Sequence, residues 1–415
     1  MVRGVNLYSA TNFFESNNVA NKGLMELGGY SVPGVIMANN KVEARERAEK
    51  AGLLFGFSMI APLIFLPVLN KSFLRLHGVS KSFKNGEGQL MQLSKKYLTK
   101  DSDYMIKGIK ALKEDLKTKK GFKNTDIDFD NILNKFKGKE GELQKKLIKI
   151  HAKVLFTDLL LTGALTGSIY WMSNARTKKK TGREGFSAEF EMADKEHIEQ
   201  KAQKFKEKSK NNFLKANSVL LLGALATALI FQKGMLKNGS SFIKKHAEAL
   251  DYTKGIYMSR AILALIMIIG DVPNTLLSSR DNEELKYNVI KNAALYGTFF
   301  GGDLVLNNLV ARTLDKTCKN VNLINKEQLP KDASVWKKLT APLYSMDEIN
   351  KKKDWAPEVL NKTKKYKAGM FWANFAVITG FLGFGLPFLL NKMIKKNVDK
   401  EVSEGEAKRQ GGKDA

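Results

Sequence analysis

Two aspartates lie where the chain has least water to offer them. Each falls at the eleventh position of a nineteen-residue apolar run: Asp271 in AILALIMIIGDVPNTLLSS (Ala261 to Ser279) and Asp303 in AALYGTFFGGDLVLNNLVA (Ala293 to Ala311). Such a run matches the roughly 20 residues with which a helix crosses a hydrocarbon core roughly 30 Å thick. A carboxylate at that depth is costly, and two held close together cannot both stay ionised, so one takes up a proton or the pair binds a cation. Glycine precedes each aspartate and asparagine follows it, Asn274 in one run and Asn307 with Asn308 in the other. Gly270, Pro273, Gly301 and Gly302 weaken the helix at the same depth, and interrupted helices beside buried carboxylates hold coupling ions in many secondary transporters. Asp271 and Asp303, with Asn274, Asn307 and Asn308 as neutral ligands, form a candidate cation or proton site. The competing reading is polar packing between two helices, which averages about 0.6 kcal/mol per contact.

Positioning those carboxylates requires a bundle, and the chain supplies four further apolar runs: Ala51 to Leu69, Val154 to Met172, Phe213 to Phe231 and Met370 to Leu390. Several have no polar stripe to turn toward water. The expected fold class is all-α, a polytopic helical membrane protein of about six transmembrane helices joined by basic helical segments. The short charged stretch 280–292 between the two aspartate runs implies an antiparallel hairpin. Gly52 with Gly56 and Gly163 with Gly167 provide small faces for close helix packing. Asp158, one turn inside the Val154 run, reads as a helix-end residue among headgroups.

The polar segments are read from the same periodicities. Residues 1–50 show no short apolar core before a cleavage site, so the first run is expected to direct insertion. Leu24 to Ala38, with Gly28, Gly29, Pro33 and Gly34, reads as a loop, and Asn39 to Lys50 as an Asn-capped helical entry. Segment 70–153 carries helical patterns near 89–99, 103–119, 126–136 and 140–153 over a thin core, and is a candidate protein-binding segment. Segment 173–212 reads as a charged helix running into the third span, and 232–260 as a basic loop. Segment 312–369, with Trp336 and Trp355, reads as short helices and turns lying on the membrane. The charged tail 391–415 reads as disordered.

Charge and composition narrow the partners. The 415 residues carry 69 Lys and Arg against 42 Asp and Glu, a net charge of +27 that favours anionic surfaces. With apolar runs present, anionic lipid headgroups fit better than nucleic acid, for which no recognition module is found. Two basic clusters are candidate lipid contacts: Arg176, Lys178, Lys179, Lys180 and Arg183, and Lys351, Lys352 and Lys353. The odd-numbered loops hold the larger basic excess, which places them in the cytosol and both termini outside.

The single cysteine, Cys318, excludes an intramolecular disulfide. His77, His151, His197 and His246 are scattered through polar segments and read as surface residues, with no metal-ligand spacing. No phosphate loop and no nucleophile with a base partner is found, so neither catalytic residues nor a cofactor are expected. The leading expectation is a non-enzymatic integral membrane protein, in a cytoplasmic (inner) or plasma membrane. It serves as a scaffold that holds anionic lipid or a partner through its basic segments. The alternative is a cation- or proton-coupled transporter using Asp271 and Asp303.

Overall fold

In a computed structural model, the structure describes residues 7–80, 84–118, 129–236, 238–328 and 334–411. These are almost wholly helical. Among the described residues, the named strands are Tyr252–Thr253 and Tyr257–Met258, which pair antiparallel as one small hairpin. The all-α architecture follows from long apolar stretches in which backbone groups are satisfied within the segment, the arrangement a hydrocarbon environment demands.

Five helices among the described residues are long and apolar enough to cross a membrane: Lys41–Leu76, Glu140–Thr181, Asn212–Met235, Arg260–Leu277 and Pro357–Glu404. They mark an integral membrane protein. Their surfaces agree: Ile60, Ile64 and Val68, each one turn apart, are 46%, 70% and 61% exposed, a row that lipid accepts and water penalises. The remaining apolar run, 293–311, is helical through Asn282–Gly297, Thr298–Gly302 and Asp303–Thr317 but is not among the five. Asp303, Asn307, Asn308 and three glycines dilute its apolar character.

Glycine-containing π turns interrupt these helices at Gly56–Ile60, Met267–Asp271, Thr298–Gly302 and Thr379–Gly385. Weakening at Gly270 and at Gly301 with Gly302 therefore widens the helix locally instead of unwinding it, a distortion that recurs at functional sites.

Contacts divide the chain into two compact units. The first comprises Met1–Phe55, Met172–Lys210 and Ser279–Ala415, and the second Gly56–Trp171 and Asn211–Ser278. The first unit packs Phe186, Tyr287, Phe371, Ile378, Leu382 and Leu386 into its core. In the second, Leu90, Leu98, Ile109, Leu116, Phe129 and Leu147 are buried, a fuller core than the sparse apolar positions of 70–153 suggest.

Several boundaries differ from the sequence reading. Leu24 to Ala38 is not a loop: Gly23–Ser31 is a π helix that runs on into Val32–Ile36, because its glycines let it pack closely on the Phe375 ring. The charged helix Lys195–Lys208 does not run into the third span. Ser209 to Asn211 separate it from Asn212–Met235, with Asn211 at φ 68°, a left-handed stop that asparagine tolerates. The stretch 280–292 is helix from Asn282, started by the Asp281 carboxylate accepting the Glu284 N–H at 2.8 Å. The tail continues as helix to Gly411. Asn40 does cap the first long helix, its side chain accepting the Glu43 N–H at 2.9 Å. Residues 119–128, within two of the expected helical patterns, lie outside the described residues.

Candidate functional site

The second unit carries a buried polar lane on the helix Glu140–Thr181. His151, Asp158, Thr162 and Thr166 recur at seven, four and four residues, which puts them on one face, and each is at most 2% exposed. Asp158 is not a helix-end residue. The helix begins at Glu140, four turns before the apolar run, so the carboxylate sits mid-helix and fully buried.

Two hydroxyls hold Asp158. The Tyr252 hydroxyl donates to Oδ2 at 2.8 Å, and Thr162 Oγ1 donates to Oδ1 at 2.9 Å. Among the described residues no cation pairs with it. Below it, Thr166 Oγ1 donates to the Thr162 carbonyl at 2.9 Å. Above it, His151 is buried, and among the described residues neither ring nitrogen has a hydrogen-bond partner. His151 is thus no surface histidine. The lysines around it in sequence face outward, while its own position points inward.

Tyr252 reaches the lane from the small hairpin, whose turn has Lys254 and Gly255 at φ 54° and 74°. Asn70 fixes that turn, donating to the Gly255 carbonyl at 2.9 Å. Burial, and then the Asp158 charge, push the phenol well above its ordinary value, so it remains a proton donor. Lys95, 1% exposed, lies with Nζ 5.1 Å from the Tyr252 ring centre and donates to the Leu250 carbonyl. Its ammonium is 3.5 Å from Asp251 Oδ1. Burial lowers the Lys95 pKa from 10.5 to about 8, with Asp251 opposing the shift.

Asp271 and Asn274 belong to the same unit, on Arg260–Leu277. This helix and the Glu140 helix meet backbone to backbone, as the Gly163 and Gly167 spacing anticipates. A Cβ on Gly270 would lie 2.8 Å from Gly163 Cα, and one on Gly167 would lie 2.4 Å from Asn274 Nδ2. Asp271 is fully buried at the end of the π turn, next to Gly270. The Asn274 amide is engaged at both ends: its oxygen accepts Trp171 Nε1–H at 2.8 Å and its nitrogen donates to the Gly270 carbonyl at 2.8 Å. It therefore serves as a structural tie in this arrangement.

Asp303, Asn307 and Asn308 belong to the first unit. The Asp303 side chain lies outside what the structure describes. Asn307 is half-buried, and Asn308 is buried with its nitrogen donating to the Leu304 carbonyl at 3.1 Å.

The first unit buries its charges differently. Arg280 donates from Nε and Nη2 to Glu284 at 2.9 and 2.7 Å, and from Nη1 and Nη2 to Glu46 at 3.3 and 3.0 Å. Lys201 bridges both oxygens of fully buried Glu189 at 3.2 Å and Glu401 at 2.8 Å. Burial and the neighbouring Asp281 charge raise the Glu189 carboxyl above its ordinary 4.5. None of these residues stood out in the sequence. The one local sign was Asp281 three residues before Glu284, a helix-start pattern.

Several side chains of the basic clusters have partners within the first unit. Lys178 pairs with Glu184, Lys180 lies 3.4 Å from Glu49, and Arg183 donates to the Phe190 carbonyl at 2.9 Å. Lys351 pairs with Asp347 at 2.5 Å and Lys352 with Glu327 at 2.6 Å. Arg176, Lys179 and Lys353 are exposed. Among the described residues, no group of three or more His, Cys, Asp or Glu is arranged to hold a metal ion. Comparison with family models, with curated proteins and with solved structures finds no match for this chain.

Proposed function

We propose that this membrane protein binds a proton or a small monovalent cation within the bilayer, at Asp158, and uses it to drive transport. One observation carries the reading. Asp158 is a fully buried carboxylate in a helix long enough to span, held by two neutral hydroxyls and by no cation among the described residues. An ionised carboxylate in that position bears a desolvation cost of several kcal/mol that hydroxyls alone do not offset. Neutralising it takes a proton or a cation from outside the chain. Tyr252 and Thr162 then hold the carboxyl in place, and Asp271, on the helix packed at Gly163, is a second buried carboxylate of the same unit. Compared with the sequence expectation, the site shifts from Asp271 with Asp303 to Asp158 with Asp271. The scaffold reading rests on exposed lysines such as Lys178, Lys180 and Lys351, whose surface ion pairs are worth little, and no comparable buried site supports it.

The test is flux in proteoliposomes under an imposed gradient of protons, sodium or potassium, followed by a trapped indicator dye. Wild-type protein should carry one of these ions above the protein-free rate. Asp158→Asn, which keeps the shape and removes the charge, should return flux to that baseline while the protein stays monodisperse. No flux of any of the three ions, or full flux in Asp158→Asn, removes the proposal.

A further inference from the structure

The first unit contains a cavity of about 390 Å³ lined by Tyr8, Ser9, Asn12, Met346, Asn350, Asn361 and Lys364. Three segments meet there: the helix Leu7–Ser16, the short helix Met346–Lys351 and the first turns of Pro357–Ile378. Asn12 Oδ1 is buried with no hydrogen-bond partner, a state that costs roughly 1–3 kcal/mol. Among the described residues, Ser9, Asn350, Asn361 and Lys364 have no side-chain partner either.

We propose that this cavity binds a phosphate carried on a polyol, a glycerol or inositol phosphate, as the headgroup of an anionic phospholipid. The chemistry of the lining sets the class. A primary amide offers a donor and an acceptor side by side, which matches neighbouring hydroxyls, and three amides line one small cavity. Lys364 supplies one cation for the phosphate, and the cavity contains no carboxylate to repel it. Position sets the source. Lys364 lies six residues before Met370, where the apolar run begins, so at 1.5 Å per residue it stands about 9 Å beyond that start. That height is close to the headgroup layer, which occupies about 5–8 Å on each side of the hydrocarbon. On the helix that provides Tyr8, Ser9 and Asn12, Leu7 and Phe13 are 58% and 54% exposed, apolar groups able to lie against acyl chains.

The inference is independent of the Asp158 reading and is tested separately. The full-length protein is purified in detergent with equal phosphatidylglycerol and phosphatidylcholine, and retained lipid is counted by mass spectrometry. Phosphatidylglycerol should be enriched, and Lys364→Glu should reduce the enrichment about tenfold, since reversal replaces one attraction with one repulsion. Lys365→Glu, exposed and outside the cavity lining, is the control and should leave it unchanged. Should Lys364→Glu fail to fold, Asn361→Leu on the exposed rim should give the same loss. A parallel titration with glycerol 1-phosphate separates the sources: lipid retention without binding of the free compound assigns a headgroup, and Lys364-dependent binding of the free compound without lipid retention assigns a soluble ligand of the same chemistry. Equal retention of both lipids with no glycerol 1-phosphate binding, or equal losses in the Lys364 and Lys365 variants, overturns the proposal.

Discussion

The two units solve one problem in opposite ways. In the first, buried Glu46 and Glu284 are answered by Arg280 and buried Glu189 by Lys201, which also holds the more exposed Glu401. In the second, Asp158 is answered by Tyr252 and Thr162, both neutral, and His151 on the same face has no hydrogen-bond partner among the described residues. A paired charge is fixed, because leaving it unpaired is expensive, so the first unit's network holds segments distant in sequence together. A carboxylate held by hydroxyls keeps its position whether charged or not. That difference suits the first arrangement to architecture and the second to taking up and releasing an ion.

The comparison breaks first at Arg280. Arg280→Met leaves buried Glu284 without its cation and Glu46 with Lys50 alone, and the expected loss is about 3–5 kcal/mol, read as a fall in the thermal unfolding midpoint of detergent-purified protein. Asp158→Asn should cost far less stability than Arg280→Met while removing ion flux. If the two variants destabilise equally, the distinction between the units fails. Between these lies Gly270→Val. Its added Cβ meets Gly163 Cα at 2.8 Å, and the overpacked crossing should cost about 1–3 kcal/mol, seen as a lower midpoint. Tyr252→Phe removes one of Asp158's two donors. It should lower flux more than it lowers the unfolding midpoint, and a wholly unchanged flux would show that the hydroxyl does not serve the carboxylate.

Proton linkage gives the smallest and sharpest contrast. The Glu189 carboxyl is raised in the folded state, so its contribution is present in full below its ordinary 4.5 and is lost as pH climbs through the raised value. Glu189→Gln should flatten the stability profile across that window. Lys95 is lowered from 10.5 to about 8, so the unfolded chain binds the extra proton between those values and stability rises with pH there. Lys95→Met should abolish that rise. Differences between wild type and variant that have the same sign of pH dependence for Glu189 and Lys95 would contradict the assigned environments.

Much of the frame was legible in the residues. Apolar length revealed the spans, the Gly163 and Gly167 spacing revealed where helices touch, and Asn40 revealed a helix start. What was not legible depended on partners far away in the chain. Asp158 read as a helix-end residue because the helical pattern 140–153 and the apolar run from Val154 were taken as separate elements, whereas one helix runs through both from Glu140 to Thr181. Its donor Tyr252 comes from a hairpin nearly a hundred residues later, and no local periodicity announces it. His151 sits among lysines in sequence, yet helical geometry turns those lysines outward and the histidine inward. Arg280 with Glu46 and Lys201 with Glu401 are pairings 234 and 200 residues apart, and charge counts alone made both partners look solvated.

The central claim is that Asp158 is neutralised from outside the chain. Its most direct measurement is infrared difference spectroscopy of the protein in nanodiscs, titrated with acid and with sodium or potassium, with Asp158→Asn as the reference. The account predicts a carboxylic-acid band at neutral pH that belongs to Asp158, or a carboxylate band that shifts only when a cation is added. A carboxylate band that is indifferent to both proton and cation near neutrality would show a stable buried charge, and the proposed site would not exist.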